Sequence, residues 1–276
     1  MNDREMTDRL AAAVGIAASA DVLAPLFAFT PVVTEWSFNA GNAGSARGAF
    51  RVSTWTGDHA AARAALARIA PDQLALRDSL VADDLEGVGL AFRAGEPATG
   101  RWWALVRDGE AAASRAIAAW PELAPEIDGV LRAAGGRHAL VAVGIEAARR
   151  ATIYVELHAA SDALRVLELA RIPVSQSANL FFKGVLGLEP GGRRWPRVWA
   201  ARSIGQDGGW KFYYFARGDE QRRTDEVLLD AVRATAEQQA AWRLLREDAR
   251  LPVVQHVGLA FVAAAPPAFT VYLARA

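Results

Sequence analysis

Along much of this chain apolar and polar residues alternate with a period of two, and helical periods fill the gaps between. In "ATIYVELH", Ile153, Val155 and Leu157 form one set, while Thr152, Tyr154, Glu156 and His158 form the other. "FRVSTW" opposes Phe50 and Val52 to Arg51, Ser53 and Trp55, and "GRWWALV" opposes Trp102, Ala104 and Val106 to Arg101, Trp103 and Leu105. "TPVVTEWSFN" reads as a strand with Thr34, Trp36 and Phe38 on one face and Val33, Glu35 and Ser37 on the other. Glu35 is the misfit there, because a charge facing a core is costly without a partner.

The strands come in pairs. "VGLAFRAGEPATGRWWALVR", "LVAVGIEAARRATIYVELH", "GVLGLEPGGRRWPRVWAARS" and "HVGLAFVAAAPPAFTVYLAR" each read as strand, short turn, strand. "TPVVTEWSFNAGNAGSARGAFRVSTW" has the same form with a longer turn, which makes five hairpins and ten antiparallel strands. "GGWKFYYFARG" is a further candidate. Either it extends the fourth hairpin, or "RVWAARSI" and "WKFYYFAR" pair and "FFKGVLGL" plays another part.

Helical patterns separate the hairpins. An N-terminal helix is expected with a cap near Thr7, and "DHAAARAALARIAPDQLALRDSLV" with an Asp58 cap and a break before Pro71. "GEAAASRAIAAWPELAPEIDGVLRAA" should break at its prolines, "SDALRVLELARI" starts with a Ser/Asp cap, and "DEQRRTDEVLLDAVRATAEQQAAWRLLRED" is long and amphipathic.

A repeat that cannot bury its own face must stack or close into a ring, and closure also removes sheet edges. The expected architecture is therefore α+β, a single domain over 1–276. It is a ten-stranded antiparallel β-barrel of αββα repeats with the helices outside. The apolar faces take the helices, and the lumen is built from Arg, Tyr, Trp, Glu and Thr. A barrel of this size can hold a ligand.

The inward set then defines the chemistry. Arg51, Arg101, Arg150, Lys183, Arg197 and Lys211, with Tyr154, Tyr213 and Tyr272, suit a polyanionic group such as a diphosphate. Arg101-x-Trp103, Arg197-x-Trp199 and Arg150-x-Thr152-x-Tyr154 would stack cations over aromatic rings on one strand face. Aromatic walls suit a cationic intermediate. Lys183 and Lys211 are the only lysines in an arginine-rich chain.

Composition narrows the partners. The formal net charge is zero, so no bulk field draws the chain to nucleic acid or an anionic membrane. There is no cysteine, which excludes disulfides and thiolate metal sites and makes a cytoplasmic location the default. His158 and His256 lack zinc-ligand spacing, and "GNAGSARG" lacks the lysine and context of a P-loop. "MNDREMTDR" is slightly acidic, unlike a secretory leader, and no run is long enough to span a bilayer.

The hairpin-helix repeats, "PLFAF", "ANLFFKG" and the final "LPVVQHVGLAF…FTVYLARA" resemble the ABBA, or PT-barrel, prenyltransferases, most closely the cyanobactin peptide prenyltransferases. The resemblance implies transfer of a dimethylallyl or longer prenyl group from its diphosphate to a peptide side chain, in peptide modification of the RiPP type. The alternatives are a small-molecule aromatic acceptor, or a non-catalytic ligand-binding barrel with a decayed diphosphate site. By family pattern Glu35 meets the acceptor and takes its proton. Arg51 and Arg101 match diphosphate-binding basic residues of the second and fourth strands, and Arg197 another such arginine. Tyr154 and Tyr272 match tyrosines that bond the diphosphate or shield the allyl cation. Trp55, Trp103, Glu156, Trp199 and Tyr213 complete the prenyl and acceptor pocket. Two positions depart from the pattern: Thr152 and Thr270 stand where relatives carry lysines, so Lys183 or Lys211 would supply the missing charge, or Mg2+ would assist. A monomer is expected.

Overall fold

The computed structural model describes residues 3–13, 33–40, 50–80, 85–93, 101–147, 150–171, 197–204, 209–215, 236, 253–261 and 268–274. Ten strands form a closed antiparallel barrel: β1 (Val33–Ala40), β2 (Phe50–Thr56), β3 (Leu85–Arg93), β4 (Arg101–Val106), β5 (Leu140–Ala147), β6 (Arg150–Leu157), β7 (Val198–Ile204), β8 (Trp210–Phe215), β9 (Val253–Phe261) and β10 (Ala268–Ala274). They follow chain order around the ring, and β10 returns to pair with β1. Closure leaves no edge strand, as expected of the repeat.

The open question of the fourth hairpin resolves in favour of β7 and β8, which pair antiparallel with Ala201 opposite Lys211. The sequence stretch "GVLGLEPGGRRWPRVWAARS" is therefore not the hairpin that its Gly-rich centre suggests, because "RVWAARSI" pairs forward with "WKFYYF". "FFKGVLGL", with Lys183, and all but one residue of the long amphipathic helix lie outside the described residues.

Trp36 of β1, Trp102 and Ala104 of β4, and Trp210, Phe212 and Tyr214 of β8 point outward into the layer beneath the helices. Trp36 and Trp102 are sealed there with Ile145, Ile153, Phe212 and Tyr214. Helix α1 (Asp3–Ala13) closes over β1: the Trp36 Nε1 donates to Thr7 Oγ1 at 3.0 Å, and Thr34 Oγ1 donates to the Asp3 carboxylate. Thr7 is thus inside the helix and not its cap, because its hydroxyl donates back to the Asp3 carbonyl at 2.7 Å.

The next two helical connections repeat one device. In α2 (His59–Ile69) the Asp58 side chain accepts from Ala61 N, and in α4 (Gly109–Ala119) the Asp108 side chain accepts from Ala111 N. Each helix stops at a non-helical residue, Ala70 or Trp120, that the following Pro71 or Pro121 excludes from the helical region. A 3-10 turn then leads into α3 (Leu74–Leu80) or α5 (Ala124–Ala133). Small side chains such as Ala62, Ala65, Ala112 and Ala116 are buried and let these helices approach the sheet closely. In α6 (Ala160–Leu169) the cap differs from the Ser/Asp expectation. Asp162, within the first turn, reaches back to accept from His158 N and Ala159 N at 3.0 and 2.9 Å.

Candidate active site

Inside the barrel Gly89, Gly144 and Gly258 lie on β3, β5 and β9, whereas the strands paired with them, β4, β6, β8 and β10, supply Trp103, Tyr154, Lys211, Tyr213 and Tyr272. The large side chains lie across the glycines of their neighbours. A Cβ at Gly89 would overlap the Trp103 indole, and one at Gly258 would overlap the Lys211 side chain. At Gly144 it would sit 3.4 Å from both Trp103 and Tyr154. The glycines therefore make room for large groups to fold flat against the wall.

Tyr154, Tyr213 and Tyr272 form the middle of the lumen, packed with Ala142 and Ala201. Their ring centroids are 6.0 Å apart for Tyr154–Tyr213 and 5.7 Å for Tyr213–Tyr272. Lys211 crosses Gly258 to reach β10, where its Nζ donates to Thr270 Oγ1 at 2.8 Å and to the Tyr272 hydroxyl. The same ammonium stands 4.8 Å from the Tyr272 ring centroid and 5.3 Å from that of Tyr213. Thr270 of β10 is thus bonded to the lysine of β8. Trp55 meets Trp103 edge-on at 5.0 Å on the opposite wall.

The other end of the lumen carries a different group. Arg197 Nε donates to Glu156 Oε1 at 3.2 Å, and its guanidinium lies 5.1 Å from the Trp199 ring and 5.4 Å from the Phe215 ring. The Arg197-x-Trp199 spacing does place cation over ring. Arg197 and Lys211 are nevertheless separated, since Phe215 and Lys211 lie four residues apart on β8, about 13 Å.

Register locates the remaining candidates. Arg51 is opposite Ser37 and Arg93, Arg101 opposite Ala91, and Arg150 opposite Ala147; Glu35 lies between Ser53 and Ala274. Arg51, Arg101, Arg150 and Lys211 each occupy the first or second residue of the returning strand in four successive hairpins. The side chains of Glu35, Arg51, Arg101 and Arg150 lie outside the described residues, as does Lys183 entirely.

Two buried lumen atoms, Thr152 Oγ1 and Trp199 Nε1, have no hydrogen-bond partner within the described protein. Orphaned polar atoms in a lumen are what a ligand or water would satisfy. Sequence reading missed Phe215 and the three wall glycines; a glycine inside a strand is the signal that marks such a close approach. Among the described residues no three His, Cys, Asp or Glu side chains come together as a metal site would need, and no helix is long and apolar enough to cross a membrane.

This architecture, a closed ten-stranded antiparallel barrel with helices outside, is the ABBA or PT-barrel fold. Solved structures similar to it include a 6-dimethylallyl tryptophan synthase, with a TM-score of 0.73 and 17% identity over 99% of this chain and 96% of that one. The 6-dimethylallyltryptophan synthase from Micromonospora olivasterospora in complex with DMASPP and Trp gives 0.74 and 17% over 98% and 95%. The prenyltransferase PriB, solved with L-tryptophan and dimethylallyl thiolodiphosphate, gives 0.70 and 15% over 98% and 94%. No family model matches the chain, and no curated protein matches it.

Proposed function

We propose that the barrel is a prenyltransferase that moves a dimethylallyl group from its diphosphate to an aromatic acceptor, with a small molecule favoured over a peptide side chain. The observation that carries this reading is the Lys211 ammonium, held by Thr270 and Tyr272 across the lumen and faced by tyrosine rings. Support for the donor and acceptor comes from the neighbours, which hold dimethylallyl thiolodiphosphate and tryptophan. A peptide acceptor has no counterpart among those neighbours.

In this mechanism Lys211, with Arg51, Arg101 and Arg150 from the same level of their hairpins, binds the diphosphate. The charge that develops on the leaving oxygen as the carbon–oxygen bond breaks falls on these cations. Tyr154, Tyr213 and Tyr272 offer ring faces to the allyl cation and exclude water. The acceptor carbon or heteroatom then attacks, and Glu35 takes the proton that it releases. Lys211 supplies charge where Thr152 and Thr270 do not.

The test incubates the full chain with dimethylallyl diphosphate and either L-tryptophan or a tryptophan-containing peptide, with products read by mass. The reading expects prenylated tryptophan, little prenylated peptide, and loss of product in Lys211→Ala. A donor that raises the melting temperature without any product would support the non-catalytic barrel instead, since binding to the native state stabilises it. Product from the peptide alone would restore the peptide acceptor.

A further inference from the structure

The helices outside the barrel are not docked in one way. Helix α2 buries Ala62, Ala65 and Leu66, and α5 buries Ile127, Val130 and Leu131. The first two turns of α1, residues 3–9, hold a single apolar residue, Met6, which is buried. Their grip on β1 is otherwise polar. Trp36 Nε1 donates to Thr7 Oγ1 at 3.0 Å, Thr7 Oγ1 donates to the Asp3 carbonyl, and Thr34 Oγ1 donates to the Asp3 carboxylate. Beside Thr34, on the facing position of β2, the buried Thr54 Oγ1 has no hydrogen-bond partner.

The two kinds of docking differ in how they come apart. Lifting several apolar side chains out of a packed layer loses their whole transfer free energy. Hydrogen bonds such as those of Thr7 and Thr34 are exchanged for bonds to water with a small net loss. A terminal helix held mainly by such bonds belongs to the low-stability end of a structure, where local opening is cheapest.

What α1 holds is the strand at which the two ends of the chain meet. β1 pairs with β2 on one side and with β10 on the other, and Trp36 stands opposite Val52 and Leu273. Trp36, Thr34 and Thr7 are all fully buried beneath or within α1. If α1 lifts, Trp36 loses both its cover and the acceptor for its indole N–H, and β1 is left with its outer face wet. Release of α1 and loosening of β1 therefore favour each other.

We propose that α1 is a releasable strap. Docked, it holds β1 in the ring; released, it lets the β1–β10 pair part and opens the barrel wall beside the lumen. Access to the lumen is thus set from outside it, by a helix that contributes nothing to the lumen surface. The proposal stands whatever the lumen binds.

The experiment follows amide exchange of the full chain by mass in peptides spanning β1 and β10, with β5 and β6 as the internal reference. Thr7→Val keeps the shape and removes the acceptor for Trp36. It should speed exchange in β1 and β10 about 10-fold and leave β5 and β6 unmoved. Thr34→Val should give the same pattern at about 3-fold. A second test adds the strap covalently. Asp3→Cys with Thr34→Cys introduces the only two cysteines of the chain, at side chains already in contact. Oxidised, this variant should exchange at β1 and β10 about 10-fold more slowly than when reduced. No response of β1 and β10 to Thr7→Val, or an equal rise in β5 and β6, would make α1 ordinary packing and overturn the strap. Identical exchange in the oxidised and reduced forms would overturn it too, as would failure of the two cysteines to join.

Discussion

The two faces of the barrel wall are built from alternate residues of the same strands, yet they solve opposite problems. On the outer face Trp36 and Trp102 are buried against helices, and volume is what the site requires. On the inner face Trp103, Lys211 and the tyrosines are arranged around glycines, and what the site requires is direction. Polar atoms do not divide in the same way: the Trp36 indole N–H is answered by Thr7, whereas the indole N–H groups of Trp102 on the outer face and Trp199 in the lumen have no partner in the described protein.

That contrast can be broken by substitution. The largest effect is expected at Trp36→Ala, which should cost about 3–5 kcal/mol of stability through cavity formation and should be read from the urea midpoint. Lys211→Met, a change of similar volume on the inner face, should reverse the pattern. Its folding midpoint should move little, while affinity for dimethylallyl thiolodiphosphate falls about 100-fold, roughly 2.7 kcal/mol. Gly258→Ala sharpens the comparison further. The added methyl displaces Lys211 from its path to Thr270, and donor affinity should fall about 10-fold, roughly 1.4 kcal/mol, with the barrel still folded. Asp108→Ala, out in the helical layer, should cost about 1 kcal/mol as a lost cap and leave ligand affinity unchanged. A Lys211→Met variant that unfolded, or an Asp108→Ala variant that lost the donor, would erase the distinction between the faces.

The period of two in the sequence carries most of this division between faces. Trp103, Tyr154, Tyr213 and Tyr272 lie on the lumen side and Trp36, Trp102 and Ile153 on the outer side, because alternation is a property of the strand itself. Asp58 and Pro71 likewise act locally and mark their helix ends correctly. What local pattern does not hold is the choice of partner. "RVWAARSI" has polar turns on both sides, and only closure of the ring decides that it pairs with β8 as well as β6. Thr7 and Asp162 have the composition of caps, but their hydrogen bonds are set by β1 and by the end of β6. For the same reason Arg197 could be read as one of six equivalent cations, while its carboxylate partner on β6 was not visible as such. Glu156 and Arg197 are brought together by β6–β7 pairing across a long intervening segment.

The order of strands around the ring has a kinetic consequence. Nine of the ten interstrand seams join strands that follow one another along the chain, and the tenth joins β1 to β10, with Glu35 opposite Ala274. Closing a loop of that length carries the largest entropic penalty of any seam and delays it relative to the others. The lumen does not exist as an enclosed space until that last seam forms. Binding competence should therefore be the final property acquired in refolding and the first lost in partial opening. Amide exchange faster at Trp36 and Val271 than at Val143 and Ile153 would register that seam as the place where the vessel comes apart.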